Sequence, residues 1–145
     1  MIATLIDTNI LVYAYIAQES DLRVQKSKSV IEDLIRDGSA VVAIQNLTEF
    51  SRVCLSKYRA PVNDVRDRVN RMRQTFNVVL PTQGSVDLAL LAVERHQLSF
   101  WDAMLWAVAK ENGVPEILTE DFQHGQIVDG VAYRNPLKTG APGAQ

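Results

Sequence analysis

The feature that most restricts the fold of this chain is an alternation. Short apolar runs of strand length are each followed by a longer segment whose apolar residues recur at helical spacing. Residues 2–6 form the first run and stop at the polar trio Asp7, Thr8, Asn9, after which Ile10, Leu11, Val12, Tyr13 and Ile16 suggest a helix. Over 21–37, Val30, Ile31, Leu34 and Ile35 lie at helical spacing, and Gly38 follows as a stop before a strand expected at 40–44. Asn46, Leu47, Thr48, Glu49 reads as an N-cap with an acid three residues later. It predicts a helix to about Tyr58 that Pro61 cannot continue, with Glu49 in its first turn. Asn63 or Asp64 opens a charged helix to about Thr75, residues 77–80 are strand-like, and 85–97 carries Val86, Leu90 and Val93 at helical spacing. Ser99 caps a helix over 100–112 that Gly113 and Pro115 end, which puts Asp102 three residues after the cap. Strands are expected at 116–119 and 131–134. Such alternation predicts an α/β fold with a mainly parallel sheet and helices on both faces.

A chain of 145 residues with 47% hydrophobic content can build one real core, so a single domain is expected over 1–137, with 138–145, rich in Gly, Ala and Pro, as a flexible tail. The net charge of −2 and the 22% charged fraction exclude both disorder and bulk attraction to nucleic acid as consequences of composition. Cys54 is the one cysteine, which excludes an intrachain disulfide, and with His96 and His124 as the only histidines there is no Cys/His zinc cluster. This usage fits a reducing cytoplasm. The first residues lack the pattern of a secretory signal, and no uncharged apolar run approaches the ~20 residues needed to span a bilayer.

In parallel sheets ligands collect outside the carboxyl ends of the strands. Asp7 and Asp121 sit at predicted strand carboxyl ends, and Glu49 and Asp102 sit in helices that begin at the same edge. Taken singly, Glu49 and Asp102 read as capping residues, and Asp7 and Asp121 as caps of loops or helices. Together they read as a site, because like charges held close raise one another's pKa unless a cation offsets them. Carboxylates without imidazole or thiolate are the ligand set of Mg²⁺, with Mn²⁺ possible. Such an ion can lower the pKa of a water, orient it for in-line attack and neutralise phosphoryl charge, so the expected chemistry is phosphodiester hydrolysis. Glu120 neighbours Asp121, and alternation along a strand admits only one of the two to the site.

Four segments carry a resemblance. Asp7-Thr8-Asn9-Ile10-Leu11-Val12-Tyr13-Ala14, Asn46 to Phe50, Trp101-Asp102-Ala103, and Leu118-Thr119-Glu120-Asp121-Phe122-Gln123-His124-Gly125 resemble, in order and spacing, the PIN-domain ribonucleases, particularly VapC-like toxins of toxin–antitoxin pairs. The resemblance spans nearly the whole chain. It implies a three-layer α/β/α domain, metal ligands at Asp7, Glu49, Asp102 and Asp121, and supporting roles for Thr8, Asn9 and Thr119. A hydroxyl or amide beside a carboxylate can fix its orientation, although backbone capping would explain Asn9 and Thr119 as well. The resemblance also implies an RNA substrate, a homodimer and a cognate antitoxin that blocks the acidic site. Trp101 departs from the family pattern and reads as core packing.

From Arg52 to Arg73 seven basic residues stand against two acids, a local charge of +5 that leaves −7 for the remainder. Arg52, Lys57 and Arg59 are therefore candidates for phosphate contact, against the alternative of a solvated helix. Tyr13, Tyr15, Phe50, Tyr58 and Trp106 could stack on bases but read first as core, as does Cys54. Leu88, Leu91, Leu105 and Val108 belong to the core or to a dimer seam. His124, after the last acid, is a possible general base. A phosphoaspartyl protein is a rival reading; it lacks support because Asn9 stands where that family carries a second aspartate. A non-catalytic RNA-binding or partner-binding scaffold and a housekeeping RNA-processing nuclease are the other two.

Overall fold

A computed structural model of the protein describes residues 2–18, 21–122 and 124–138, and residues 139–145 of the expected tail lie outside the described residues. The first strand, β1 (Thr4–Ile6), is buried at every position. Leu5 enters one apolar core and Ile6 the other, so β1 has no solvent-facing side and lies inside a sheet covered on both sides. Next along the chain come α1 (Thr8–Tyr15), α2 (Leu22–Arg36), β2 (Ala40–Ala43), α3 (Ile44–Ser56), α4 (Val62–Thr75) and β3 (Asn77–Val79). They are followed by α5 (Gln83–His96), α6 (Phe100–Glu111), β4 (Glu116–Leu118), β5 (Ile127–Val128) and β6 (Val131–Arg134). The sheet order is β3-β2-β1-β4-β6-β5, parallel throughout except for the β5–β6 pair. The expected α/β class with a mainly parallel sheet is therefore what the chain forms.

Alternation along the strands divides the apolar residues between two layers. Ala40, Val42 and Leu118 join Ile6 beneath α1 to α4, where Ile10, Ile31, Phe50, Cys54 and Met72 pack. Val41, Ala43 and Ile117 join Leu5 beneath α5 and α6. Trp106 anchors this second layer, with its indole N–H donating to the Val128 carbonyl at 2.9 Å. Among the described residues no helix is long and apolar enough to cross a membrane.

Two local expectations need correction, and one short strand was not anticipated. The strand at 40–44 stops at Ala43, and α3 begins at Ile44 rather than after an Asn46 cap. Asn46 lies within the first turn and reaches back, its Oδ1 accepting the Ala43 N–H at 2.9 Å, so Glu49 stands one turn further along than expected. On α5 the buried positions are Ser85, Ala89 and Ala92, while Val86 and Leu90 are exposed. Alanines on α5 meet Ala103 and Ala107 of α6 in the same core, and small residues let two helices approach closely, which turns the larger apolar residues outward. Leu105 and Val108 are core, whereas Leu91 is exposed. Finally, β5 had no strand-like signal, being only two residues long. The Asp129-Gly130 pair that joins it to β6 has positive φ at both residues, a hairpin signature legible in the sequence.

The two kinds of leucine should respond differently to truncation. Leu5→Ala is expected to cost about 2–5 kcal/mol, whereas Leu90→Ala, at a residue 52% exposed, should stay within ~0.5 kcal/mol. Urea unfolding of the two variants measures both.

Candidate active site

The chain runs from β1 to β2 and β3 on one side of the sheet and later to β4 and β6 on the other. The switch point falls between β1 and β4, where strand order reverses and a crevice opens at the carboxyl edge. Asp7 follows β1 directly, and its N–H donates to the Leu118 carbonyl at 2.9 Å, extending the ladder past the end of β1. Asp121 follows β4 in the adjacent loop. The helix α3 enters from β2 at this edge, and α6, which runs into β4, begins there.

Asp7, Glu49, Asp102 and Asp121 line one cleft of about 450 Å³ at this edge, together with Thr8, Asn9, Gln45, Arg52 and Trp101. A larger groove of about 530 Å³ between α3 and α4 is lined by Leu55, Val62, Val65, Arg66 and Arg73 and contains no carboxylate. It offers no set of metal ligands, so the smaller cleft is the candidate site.

Asp7 is the most tightly held acid. Its Oδ1 accepts the Thr8 N–H at 2.7 Å and its Oδ2 accepts the Thr119 hydroxyl at 2.9 Å. The same Thr119 oxygen accepts the Asp121 N–H at 3.2 Å, so one buried hydroxyl ties the Asp7 carboxylate to the Asp121 main chain. The Ser99 hydroxyl donates to Asp102 Oδ2 at 2.8 Å, while the Asp102 N–H donates back to it at 3.3 Å. Here the capping role and the site position coincide. Glu49, half-exposed, pairs instead with the exposed Arg52 at 2.9 Å.

The acids line the cleft without closing on one another. Among the described residues no three His, Cys, Asp or Glu side chains form a ready metal cage. Asp102 is turned toward its Ser99 cap and Glu49 toward Arg52. Burial pushes the Asp7 carboxyl up to about 6, against the lowering effect of its Thr119 and Thr8 bonds, and the charges of Asp121 and Asp102 raise it further. Asp121 is raised by partial burial and then by Glu120 and Asp102.

Of the remaining candidates, Thr8 and Asn9 are at the cleft, and Arg52 reaches it from α3. Lys57 and Arg59 follow the opposite end of α3, with Lys57 over the Tyr58 ring at 5.6 Å. Glu120 turns away and accepts the Tyr13 hydroxyl at 2.8 Å. It does so from a bend beyond β4, not from strand alternation. His124 Nδ1 accepts the Asn135 N–H at 3.1 Å, a contact that pins the loop. Sequence reasoning missed two residues of the site's frame. Asn46, fully buried, donates to Thr8 Oγ1 at 3.3 Å and so ties α3 to the start of α1. Gln45 donates to the Trp101 carbonyl at 3.2 Å across the cleft. The signal for Asn46 is its place at helical spacing on the face that carries Phe50 and Cys54. Trp101, expected in the core, is instead 66% exposed.

The raised Asp7 pKa implies a pH dependence for the metal-free protein. Its folded value of about 6 lies above the ordinary carboxylate value, so the stability contributed by neutral Asp7 is present below roughly pH 4 and lost as pH rises through 6. Asp7→Asn should therefore stabilise the metal-free protein at pH 7 by about 2 kcal/mol, after allowance for solvent in the cleft. The gain should shrink toward pH 4, as read by thermal melts in a chelator across that range.

The sequence matches the PIN domain family over residues 4–128. Among curated proteins no sequence matches it. Similar solved structures include a chain of a toxin–antitoxin complex from Klebsiella pneumoniae, 19% identical with a TM-score of 0.70, covering 94% of this chain and 99% of that one. Another is VapC20 of Mycobacterium tuberculosis, described as a sarcin–ricin loop cleaving toxin, 17% identical with a TM-score of 0.63 over 79% of this chain and 86% of that one. A third is VapBC2 of Rickettsia felis bound to a promoter DNA fragment, 13% identical with a TM-score of 0.66 over 93% and 98%. At these identities the structural likeness speaks for the fold. The family match covers most of the chain, and with a mostly parallel sheet carrying acids at its switch point, the protein belongs to the PIN-domain family.

Proposed function

We propose that the protein is a Mg²⁺-dependent endoribonuclease, with Mn²⁺ as an alternative ion, acting as the toxin of a toxin–antitoxin pair. The observation that carries this reading is the gathering of Asp7, Glu49, Asp102 and Asp121 along one cleft at the switch point. PIN domains are typically nucleases that use a divalent metal. The donor set fits a hard cation, since it consists of carboxylates supported by hydroxyl and amide groups, with no thiolate. Asp7, Asp102 and Asp121 would hold the ion, with Glu49 joining from across the cleft. Once bound, the ion supplies Lewis-acid activation of a water and neutralisation of charge on the phosphoryl oxygens.

The chain's own residues do the positioning. Each Asp7 oxygen accepts one hydrogen bond within the protein and keeps a further lone pair for a ligand. Thr119 holds Asp7 and Asp121 in fixed relation, and Ser99 holds Asp102 at the first turn of α6. A cation would also offset the desolvation and mutual repulsion that raise Asp7. Arg52, at the cleft, is the basic group placed to meet a substrate phosphate on exchanging its Glu49 partner. Lys57 and Arg59, beyond the opposite end of α3, would meet only an RNA long enough to run the length of that helix. A homodimer and a cognate antitoxin complete the reading: the Klebsiella and Rickettsia structures hold toxin–antitoxin pairs, and α5 exposes Leu90 and Leu91, an apolar surface that a second copy could cover.

Purified protein with magnesium should cleave single-stranded RNA. Asp7→Asn and Asp102→Asn should each lower the rate on the order of a hundredfold or more while circular dichroism stays unchanged, and EDTA should abolish cleavage. Undiminished cleavage in both variants, or indifference to the chelator, would sink the metal-nuclease reading. The toxin assignment has a separate test. Expression should arrest growth, and co-expression of a short DNA-binding protein encoded beside it should relieve the arrest. A chain that cleaves RNA without arresting growth would be a processing nuclease instead.

A further inference from the structure

We propose that Trp101 is a stacking platform for one nucleobase of a single-stranded substrate, set beside Asp102 at the rim of the acidic cleft. The inference rests on the nuclease reading and adds a substrate-positioning residue to it. The chain has two tryptophans. Trp106 is buried and spends its indole N–H on Val128, whereas Trp101 is 66% exposed and lines the cleft. An indole left in water forgoes the burial that tryptophan ordinarily obtains, and the backbone that carries this one is anchored. It lies in the first turn of α6, between the Ser99 cap and Asp102. Its carbonyl accepts the Gln45 amide from the facing helix at 3.2 Å, and the Phe100 ring meets it edge-on with centroids 5.7 Å apart.

The rest of the cleft is polar or charged apart from Val53, and among the described residues Trp101 contributes its one aromatic ring. Acids that take a cation can fix only the phosphate of a nucleotide. The base, tethered to that phosphate through the sugar, needs an apolar face nearby, and an indole provides one that accepts any base. Because Trp101 adjoins Asp102 in the first turn of α6, the helix fixes the two backbone positions relative to one another, and both side chains line the cleft. Trp101 is a positioning residue, and its removal should change binding more than the chemical step.

The test compares wild-type protein with Trp101→Ala and Trp101→Phe, in calcium so that the acids are neutralised, titrated with a single-stranded oligoadenylate of about eight nucleotides and with an abasic oligomer of equal length. Oligoadenylate should quench the exposed indole of the wild type, and Trp101→Ala should bind it about tenfold to a hundredfold more weakly. Trp101→Phe should retain most of the affinity, and the abasic oligomer should bind all three alike. With magnesium, KM for RNA should rise in Trp101→Ala while kcat changes little. Equal affinity of wild type and Trp101→Ala for oligoadenylate overturns the proposal. So does indole emission that shifts to the blue as protein concentration rises, with Trp101→Ala staying monomeric, since the ring would then be a seam between copies. Stacking without cleavage in magnesium supports the platform and removes the hydrolase, whereas cleavage with unchanged affinity removes the platform alone.

Discussion

The pairing of β1 with β4 governs where the chemistry of this chain can lie. These strands are distant in sequence but adjacent in the sheet, registered so that Ile6 faces Leu118. The ladder continues one bond further, from the Asp7 N–H to the Leu118 carbonyl, and this places Asp7 beside Thr119 at the edge where strand order reverses. Without that register the Thr119 hydroxyl could not reach Asp7 while its oxygen serves the Asp121 N–H. The apolar burial that holds the two strands together therefore also aligns the carboxylates.

The alignment has an electrostatic cost. Asp7 stands in a half-buried position among like charges, and its raised pKa expresses the free energy spent in keeping it there. The two hydrogen bonds to Asp7 offset part of this cost but leave it above the ordinary carboxylate value. Functional sites accumulate such unfavourable charge because the same arrangement binds a counterion strongly. The carboxylates with the fewest neighbours respond differently, since Glu49 relaxes onto Arg52 in solvent, where the pair contributes little to stability.

The basic segment shows how position outweighs composition. Of the seven basic residues between Arg52 and Arg73, Arg52 lines the acidic cleft. On α4, Arg66 and Arg73 hydrogen-bond to Asn63 and Asn70 one turn away, and Arg68 donates to the Tyr15 carbonyl, bracing α4 against the end of α1. A local excess of positive charge is thus divided between a cleft-lining position and structural bracing by the orientation of two helices.

Much was legible from residue order alone. Period-two and helical patterns located most elements, because burial of apolar side chains follows those periods directly. The acids were legible as a set because strand ends and helix starts share one edge in a parallel sheet. What sequence could not determine was rotation and reach. Val86 and Leu90 looked like a buried stripe, but alanines on the neighbouring face allowed α5 and α6 to approach more closely, and that packing is a property of two helices together. Trp101 looked like core for the same reason, since whether an indole at a helix start faces inward depends on what the sheet and α3 leave open. Asn46 looked like a cap and became an interior brace. Sequence by itself determined the α/β alternation, the two apolar layers and the four carboxylates. Only the tertiary structure decided that Thr119 ties the Asp7 carboxylate to the Asp121 main chain and that Trp101 stands open at the rim, because each depends on contacts between residues far apart in the chain.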